Sequence, residues 1–499
     1  MKAKRFLSAF LAAALLLGSL LLLASCKPGT EGPGAVTQDR PGKTSDPSQA
    51  SPDETEALPA DPTAKFDDLS FKILVATRST RPPQDFLFKD DQSVMDQAIY
   101  ERNMTLEEKH GIRLDVDERI GKQAEGAALL EQSYSSNDAM YDYAVIHTYT
   151  LAPLASGGRL YDMSEIRTLD LEKPWWDQTV SDGVRIAGSV FFTSGDVSHC
   201  VDDYMYCVIF NKAMYKEKVP NGADVYDLVR EGKWTLDAMA EICSGVKEDL
   251  NGDDVMDSND RYGLMLWCDE LFASIQAAGE RIAKVNDQGL IELTLGNERV
   301  YSIVDKFTSI EQADWSINFQ TMTGDKKWPA VFSEGNAMFF MSLFNEVSRF
   351  RDMDTDYGIL PNPRFDEAQD KWYCTFSAGL ASFSCLPYVQ ADAERTGTVL
   401  DLLGYYSSKT TSPAYYVKTL TGEKVRDEES VFCLDIIFNN KFVDIGHYYQ
   451  LANLNTMMYN YVKNRQSGTF ASSYEAVKKS AETLVARMNA QIEKLKDQY

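Results

Sequence analysis

Three segments near the start of the chain's body constrain its fold more than any other feature. Residues 71–76 are a continuous apolar run of strand length. Residues 92–109 set Val94, Met95, Ala98, Ile99 and Leu106 along one side of a helix. His110-Gly111 closes that helix, since glycine takes the left-handed cap conformation without steric cost. Residues 112–116 are the next strand. Strand, helix and strand in this order return the chain to one sheet in one direction. They predict a parallel pair with helices on the sheet faces. Residues 143–146 read as a third buried strand, and another helix ends at Gly157-Gly158.

The body, from residue 66 to residue 499, is too long for one ordinary domain and predicts two. The change of domain is expected in residues 190–212. An apolar strand at 190–193 passes through Ser194-Gly195-Asp196 into a second β-rich run at 204–210, which ends on Asn211-Lys212 before a helix. Gly188, between apolar runs in 185–193, suggests a hairpin leading to that crossing. Residues 226–234 give a short helix and a turn, and Thr235 caps the next helix. Residues 297–310 are helical by pattern. At 474–498, Val477, Ala481, Leu484, Val485, Met488, Ile492 and Leu495 share one helix face, which is expected in the core rather than on a partner.

Phe210-Asn211-Lys212 matches the aromatic-Asn-Lys triplet that follows the crossover in extracellular solute-binding proteins of bacterial ABC importers, the group that includes maltose-binding protein. Residues 226–235 look like that family's Gly-Lys-Trp-Thr stretch. Residues 332–344 resemble its Gly-x-Ala-Met strand, and residues 357–363 its Gly-x-x-Pro-x-Pro run. Residues 373–382 resemble its second crossover, through Ser377-Ala378-Gly379. The resemblance covers nearly all of residues 66–499. It implies an α/β, two-lobed periplasmic-binding-protein-like fold, each lobe a mostly parallel sheet flanked by helices, with a ligand cleft at the inter-lobe hinge. Lobe one would take residues 66–196 and 378–426, and lobe two residues 197–377 and 427–499. The resemblance implies no catalysis. It implies a monomer that delivers a small solute, a carbohydrate or oligosaccharide, to ABC permease subunits carried on other chains. Matched motif by motif, the cleft would be lined by Thr77 and Arg78, by His147, Thr148 and Tyr149, by Asp203 and Tyr204, and by Phe344, which stands where sugar binders often carry Trp. Flat rings offer faces to the C–H side of a sugar, and Asp and Arg can bond its hydroxyls. For each of these residues alone, packing is the alternative role. Bending is expected near Gly195 and Ala378.

The amino end addresses the chain outward. Lys2, Lys4 and Arg5 precede an apolar run from residue 6 to residue 23, which closes on Leu23-Ala24-Ser25-Cys26. A basic start, an apolar middle and small residues before a cleavage point make an export signal. Its ending looks like a lipobox, which implies a signal peptide at 1–25 and lipid on Cys26. The alternative is a transmembrane anchor. Residues 26–65, rich in Pro, Gly, Ser, Thr and Asp, are expected to form a flexible tether. The expected place is the outer face of the cell membrane. A formal net charge of −25 opposes nucleic acid or an anionic membrane surface as a partner. Of eight cysteines, one is assigned to lipid; the odd remainder, without a Cys-x-x-Cys pair, reads as buried small hydrophobes.

Residues 249–260, DLNGDDVMDSND, place Asp249, Asn251 and Asp253 at the first, third and fifth positions of a calcium loop. Val255 would offer its carbonyl at the seventh, with Asp257 and Asp260 at the ninth and twelfth. Asp254 stands where such loops carry Gly. A structural Ca²⁺ site and a solvated acidic turn both fit. His147 and His199 lie near strand ends, where either could face a cleft. Neither a His-Glu-x-x-His nor a Gly-x-Ser-x-Gly motif occurs. An exported glycoside hydrolase and a surface lipoprotein without a small ligand remain the rival readings.

Overall fold

The computed structural model describes residues 57–89, 93–418, 427–465 and 469–496. Its strands, in chain order, are β1 (Leu69–Ala76), β2 (Ile112–Arg119), β3 (Tyr143–His147), β4 (Phe192–Thr193), β5 (Tyr206–Asn211), β6 (Lys247–Glu248), β7 (Arg261–Leu266), β8 (Ala283–Val285), β9 (Ile291–Leu293), β10 (Ser316–Asn318), β11 (Ala337–Leu343), β12 (Tyr357–Leu360) and β13 (Ser382–Cys385). One sheet has the order β2-β1-β3-β13-β4 and the other β10-β7-β11-β5-β12, with β6 added to β7. These are the sheets of two lobes.

Both sheets are half parallel. β1 pairs in parallel with β2 and β3, as the strand–helix–strand pattern requires. β7 does the same with β10 and β11. Apart from the short β6, which pairs antiparallel with β7, the antiparallel strands are those that enter from the other lobe. β13 runs against β3 and β4, and β5 against β11 and β12. A chain arriving from the hinge travels opposite to strands that run toward it, so these pairings follow from the crossings themselves. Every residue of β3, β5 and β11 is buried, which is why these stretches read as unbroken apolar runs.

Local signals fix the helix ends. Ser93 caps helix Val94–His110 by accepting from the Asp96 N–H, and Gly111 ends it at φ +69°. Asn211 caps helix Lys212–Lys218, Thr235 caps Leu236–Cys243, and Asn297 caps Glu298–Glu311. On the last helix, Phe470–Lys496, Ala481, Val485 and Met488 are buried in the main core, with Val477 and Leu484 packed against it. All seven described cysteines are buried.

Two crossovers run side by side. Met205 and Phe376 form an antiparallel bridge. The Tyr206 N–H donates to Thr375 O (2.9 Å), and the Ser377 N–H to Tyr204 O (3.0 Å). On the outer side, Asn440–Phe442 lies along the second crossover. The Cys374 N–H donates to Asn440 O (2.8 Å), and the Phe442 N–H to Cys374 O (2.7 Å).

Two stretches differ from their sequence reading. Within 185–193 the chain makes only a tight turn, with an Ile186–Ser189 bridge and Ala187 and Gly188 at positive φ, and strand pairing begins at Phe192. Residues 57–65, assigned to the tether by composition, lie on lobe one: Pro59 is buried, and the Ala60 N–H donates to Asp401 at 2.6 Å. Gly195 is also required by packing, since a Cβ there would lie 2.3 Å from Trp175 O. The leader and Cys26 fall outside the described residues. Among those residues no helix is long and apolar enough to cross a membrane.

Candidate functional site

A cavity of about 500 Å³ lies between the two sheets. Its walls are the carboxyl ends of β1, β3, β7, β10 and β11, where open α/β sheets place ligands. The loop after β1 supplies Arg78, Ser79, Thr80 and Arg81. Tyr149 comes from the first turn of helix Thr148–Ser156, and Gly379 and Leu380 from the second crossover. Lobe two supplies Trp267, Asp269 and Phe272 after β7, and Gln320 after β10. Asn345, Glu346 and Arg349 follow β11. Gln450, Asn455, Thr456 and Tyr459 close the remaining side.

The charged groups have distinct surroundings. Arg81 Nη2 donates to both oxygens of Glu346, each at 3.1 Å, and so ties lobe one to lobe two across the cavity. Arg349 bonds the same carboxylate. Arg78 Nη1 donates to the Gly379 carbonyl (3.2 Å), and its guanidinium lies 5.5 Å from the Tyr149 ring centroid. Asp269 approaches the same corner from lobe two. Burial pushes its pKa up to about 6, although Arg78 pulls the other way. A Cβ added at Gly379 would meet Asp269 Oδ2 at 3.5 Å and Tyr149 OH at 3.6 Å, so the three residues converge on one corner.

The aromatic wall is held from behind. Trp267 Nε1 donates to Glu270 (2.7 Å), and its ring stacks on Phe319 at 5.9 Å and 15°. Burial holds Glu270 well above the usual carboxylate range. Asn455 is only 4 % exposed, and its Oδ1 has no hydrogen-bond partner. Its Nδ2 donates to His447 O (3.2 Å). Burial pushes His447 down to about 3.

Of the residues carried over by motif, Arg78 and Tyr149 line the cavity. The others lie behind it. Thr77 is buried and donates to Ser79 O. His147 is buried, with Nε2 3.1 Å from Gly379 O, and burial pushes its pKa down to about 4. Thr148 donates to Ala381 O. Asp203 accepts from Asn345 Nδ2 and the Tyr415 hydroxyl, both at 3.0 Å. Tyr204 is buried and donates to Arg81 O. Phe344 is fully buried, edge-on to Phe438, so its place is the core of lobe two. His199 is buried beside Asp85 and lines no part of this cavity.

Trp267 and Asp269 follow an apolar strand as Arg78 does, and the same rule could have found them. Gln450–Tyr459 carries no such signal. Gln450, Ala452 and Asn453 take φ of +50°, +49° and +61°, a cluster of left-handed non-glycine residues beside the cavity.

In the loop at 249–260 the carboxylates accept its own N–H groups. Asp249 takes those of Gly252 (2.7 Å) and Asp254 (2.8 Å), and Asp253 takes that of Val255 (2.9 Å). Asp260 takes those of Leu250 and Asp257, each at 2.9 Å, and Asp257 takes that of Asn259 (2.8 Å). Asp254, in the position usually held by Gly, adopts φ +61°. Among the described residues no three His, Cys, Asp or Glu side chains are gathered so as to hold a metal ion.

No protein-family model matches the sequence, and no curated protein does. Solved structures do match the fold. The sugar-binding protein MalE from Xanthomonas citri matches at a TM-score of 0.55 and 12 % identity, over 86 % of this chain and 100 % of its own. The cyclic alpha-maltosyl-1,6-maltose binding protein from Arthrobacter globiformis matches at 0.54 and 11 %, over 85 % and 99 %. UgpB from Mycobacterium tuberculosis, in complex with glycerophosphocholine, matches at 0.54 and 11 %, over 84 % and 99 %. At these identities the likeness is one of fold: two α/β lobes joined by crossing strands.

Proposed function

We propose that this chain, which has the two-lobed fold of solute-binding proteins, binds a carbohydrate or oligosaccharide between its lobes and presents it to an ABC permease made of other chains. The observation that carries the reading is the cavity. Both lobes line it, so a ligand there gains contacts from each and favours the closed arrangement. Tyr149, Trp267, Phe272 and Tyr459 provide ring surface. Arg78, Asp269, Gln320 and Asn455 provide hydrogen-bonding groups suited to hydroxyls. The sugar-binding function in the names of two matched structures points the same way.

The test is a calorimetric and thermal-shift panel of neutral and charged oligosaccharides. At least one should bind, and Trp267→Ala should weaken it tenfold or more. A hydrolase reading is less well supported. Two carboxylates, Asp269 and Glu346, share the cavity, but Glu346 is already engaged by two guanidinium groups. Turnover of any bound sugar, lost in Asp269→Asn, would restore that reading.

The same proposal places the protein on the outer face of the cell membrane, anchored by lipid on Cys26; the support is the Leu23-Ala24-Ser25-Cys26 ending behind a basic, apolar leader. Cys26→Ser should leave a product that is neither cleaved nor retained. A structural Ca²⁺ site at residues 249–260 is supported by oxygen spacing alone.

A further inference from the structure

We propose that the cleft selects a carboxylate-bearing oligosaccharide, with the Arg78 guanidinium as the group that meets the carboxylate. The inference rests on the solute-binding reading above and narrows it. The chain has 75 acidic side chains against 50 basic ones, so a random patch of its surface should be acidic. The cavity reverses that balance. Its charged lining is Arg78, Arg81 and Arg349 against Asp269 and Glu346. All three cations are arginines, whose flat fork matches a carboxylate through two parallel bonds as a lysine cannot.

The arginines are not equivalent. Arg81 and Arg349 both hold Glu346. No ion pair joins Arg78 to a carboxylate among the described residues, and its Nη1 donates to a neutral carbonyl. It is exposed, and its guanidinium lies 5.5 Å from the Tyr149 ring centroid. Tyr149 also belongs to the first turn of helix Thr148–Ser156, whose positive end therefore adds to the local potential. In the same corner, on the lobe-two side, burial resists the charge on Asp269 and holds its proton to about pH 6, although Arg78 pulls the other way. That wall can become neutral when an anion enters, whereas Arg78 cannot.

The experiment is calorimetry with oligogalacturonate and oligoglucuronate, each beside its methyl ester, and with maltotriose as a neutral sugar. The ester keeps the ring and removes the charge. At least one acid should bind tenfold or more tightly than its ester at low salt, and added salt should shrink the ratio. Arg78→Gln should abolish the contrast, and Arg78→Lys should keep part of it, with melting temperatures unchanged. Esters or maltotriose binding as well as the acids would overturn charge selection while leaving sugar binding in place. Equal weakening of acid and ester by Arg78→Gln would remove Arg78 from the carboxylate contact. Heat from none of the five ligands would overturn sugar binding and charge selection together.

Discussion

The first crossover carries polar groups on two sides, and the sides differ in how fully those groups are paired. Behind it, Asp85 accepts from Ser198 Oγ (2.7 Å), the His199 N–H (3.1 Å) and His199 Nδ1 (2.9 Å). His199 Nε2 reaches Ser412 (3.1 Å), which donates to Asp196 (2.7 Å), and the Tyr415 ring stacks on the imidazole at 4.5 Å. Burial alone would lower the His199 pKa, but Asp85, Asp202 and Asp196 together outweigh it and the net shift is upward. Nearby, Lys441 lies 2.6 Å from both Asp177 and Asp202. On the cleft side, Arg78 donates to a carbonyl and forms no ion pair among the described residues, Asn455 keeps an unpartnered oxygen and Asp269 holds a raised pKa. The paired cluster around Asp85 specifies structure. Open valences around a cavity leave work for a ligand.

The contrast can be broken by mutation. Lys441→Met leaves Asp177 and Asp202 facing each other without their cation and should cost about 3–5 kcal/mol. Ligand affinity of the folded fraction should not change. Denaturant unfolding and calorimetry on the same sample read both quantities, and a large loss of affinity would mean that the two sides are coupled. Phe344→Ala should cost about 3–5 kcal/mol as a cavity in the core, again without a selective effect on binding.

Arg81→Gln cuts the ion pair that ties the lobes across the cavity, leaving the bonds of Tyr204 and Asn345 to the Arg81 carbonyl. Its stability cost should be no more than ~1 kcal/mol, because Arg81 is partly exposed. The radius of gyration without ligand should nevertheless rise in small-angle scattering. An unchanged radius would show that the bond does not set the spacing of the lobes.

The smallest effect is on pH dependence. Asp269 and the buried Asp444 both have pKa values raised by burial to about 6, from an ordinary 3.8. Each holds its proton more tightly when folded, so stability should fall as pH rises between those values. Asp269→Asn should remove its share of the slope and leave that of Asp444. In the wild type, affinity for an acidic sugar should rise as pH falls through about 6, because a neutral Asp269 no longer repels it; Asp269→Asn should lose this rise.

Much of the architecture was legible in the sequence because strands, caps and crossings are local. The Asn211 and Thr235 caps, the Gly111 stop and the buried strands each follow from a few adjacent residues. The site was legible only to within one residue. Thr77 is buried and Arg78 lines the cavity; Thr148 is buried and Tyr149 lines it; Phe344 is buried and Asn345 lines it. Motifs locate the end of a strand, but these pairs lie just beyond it, in the loop after β1 or the first turn of a helix. There the turn that follows decides which of two neighbours faces the cavity, and the strand motif does not encode that turn. Asn455 and Tyr459 reach the site from a segment far along the chain, which no local pattern could place there.

The paired crossovers also limit how the molecule can move. A single strand between two bodies bends and twists in any direction. Here two strands are bridged at Met205 and Phe376, and Asn440–Phe442 is bonded along the second strand. Side-by-side strands bonded this way form a strip that resists shear and in-plane bending but flexes out of its plane. The remaining freedom is close to one rotation about an axis across the strip. Under the proposed function, ligand size would then be recorded as one angle, and the permease would have only that angle to read.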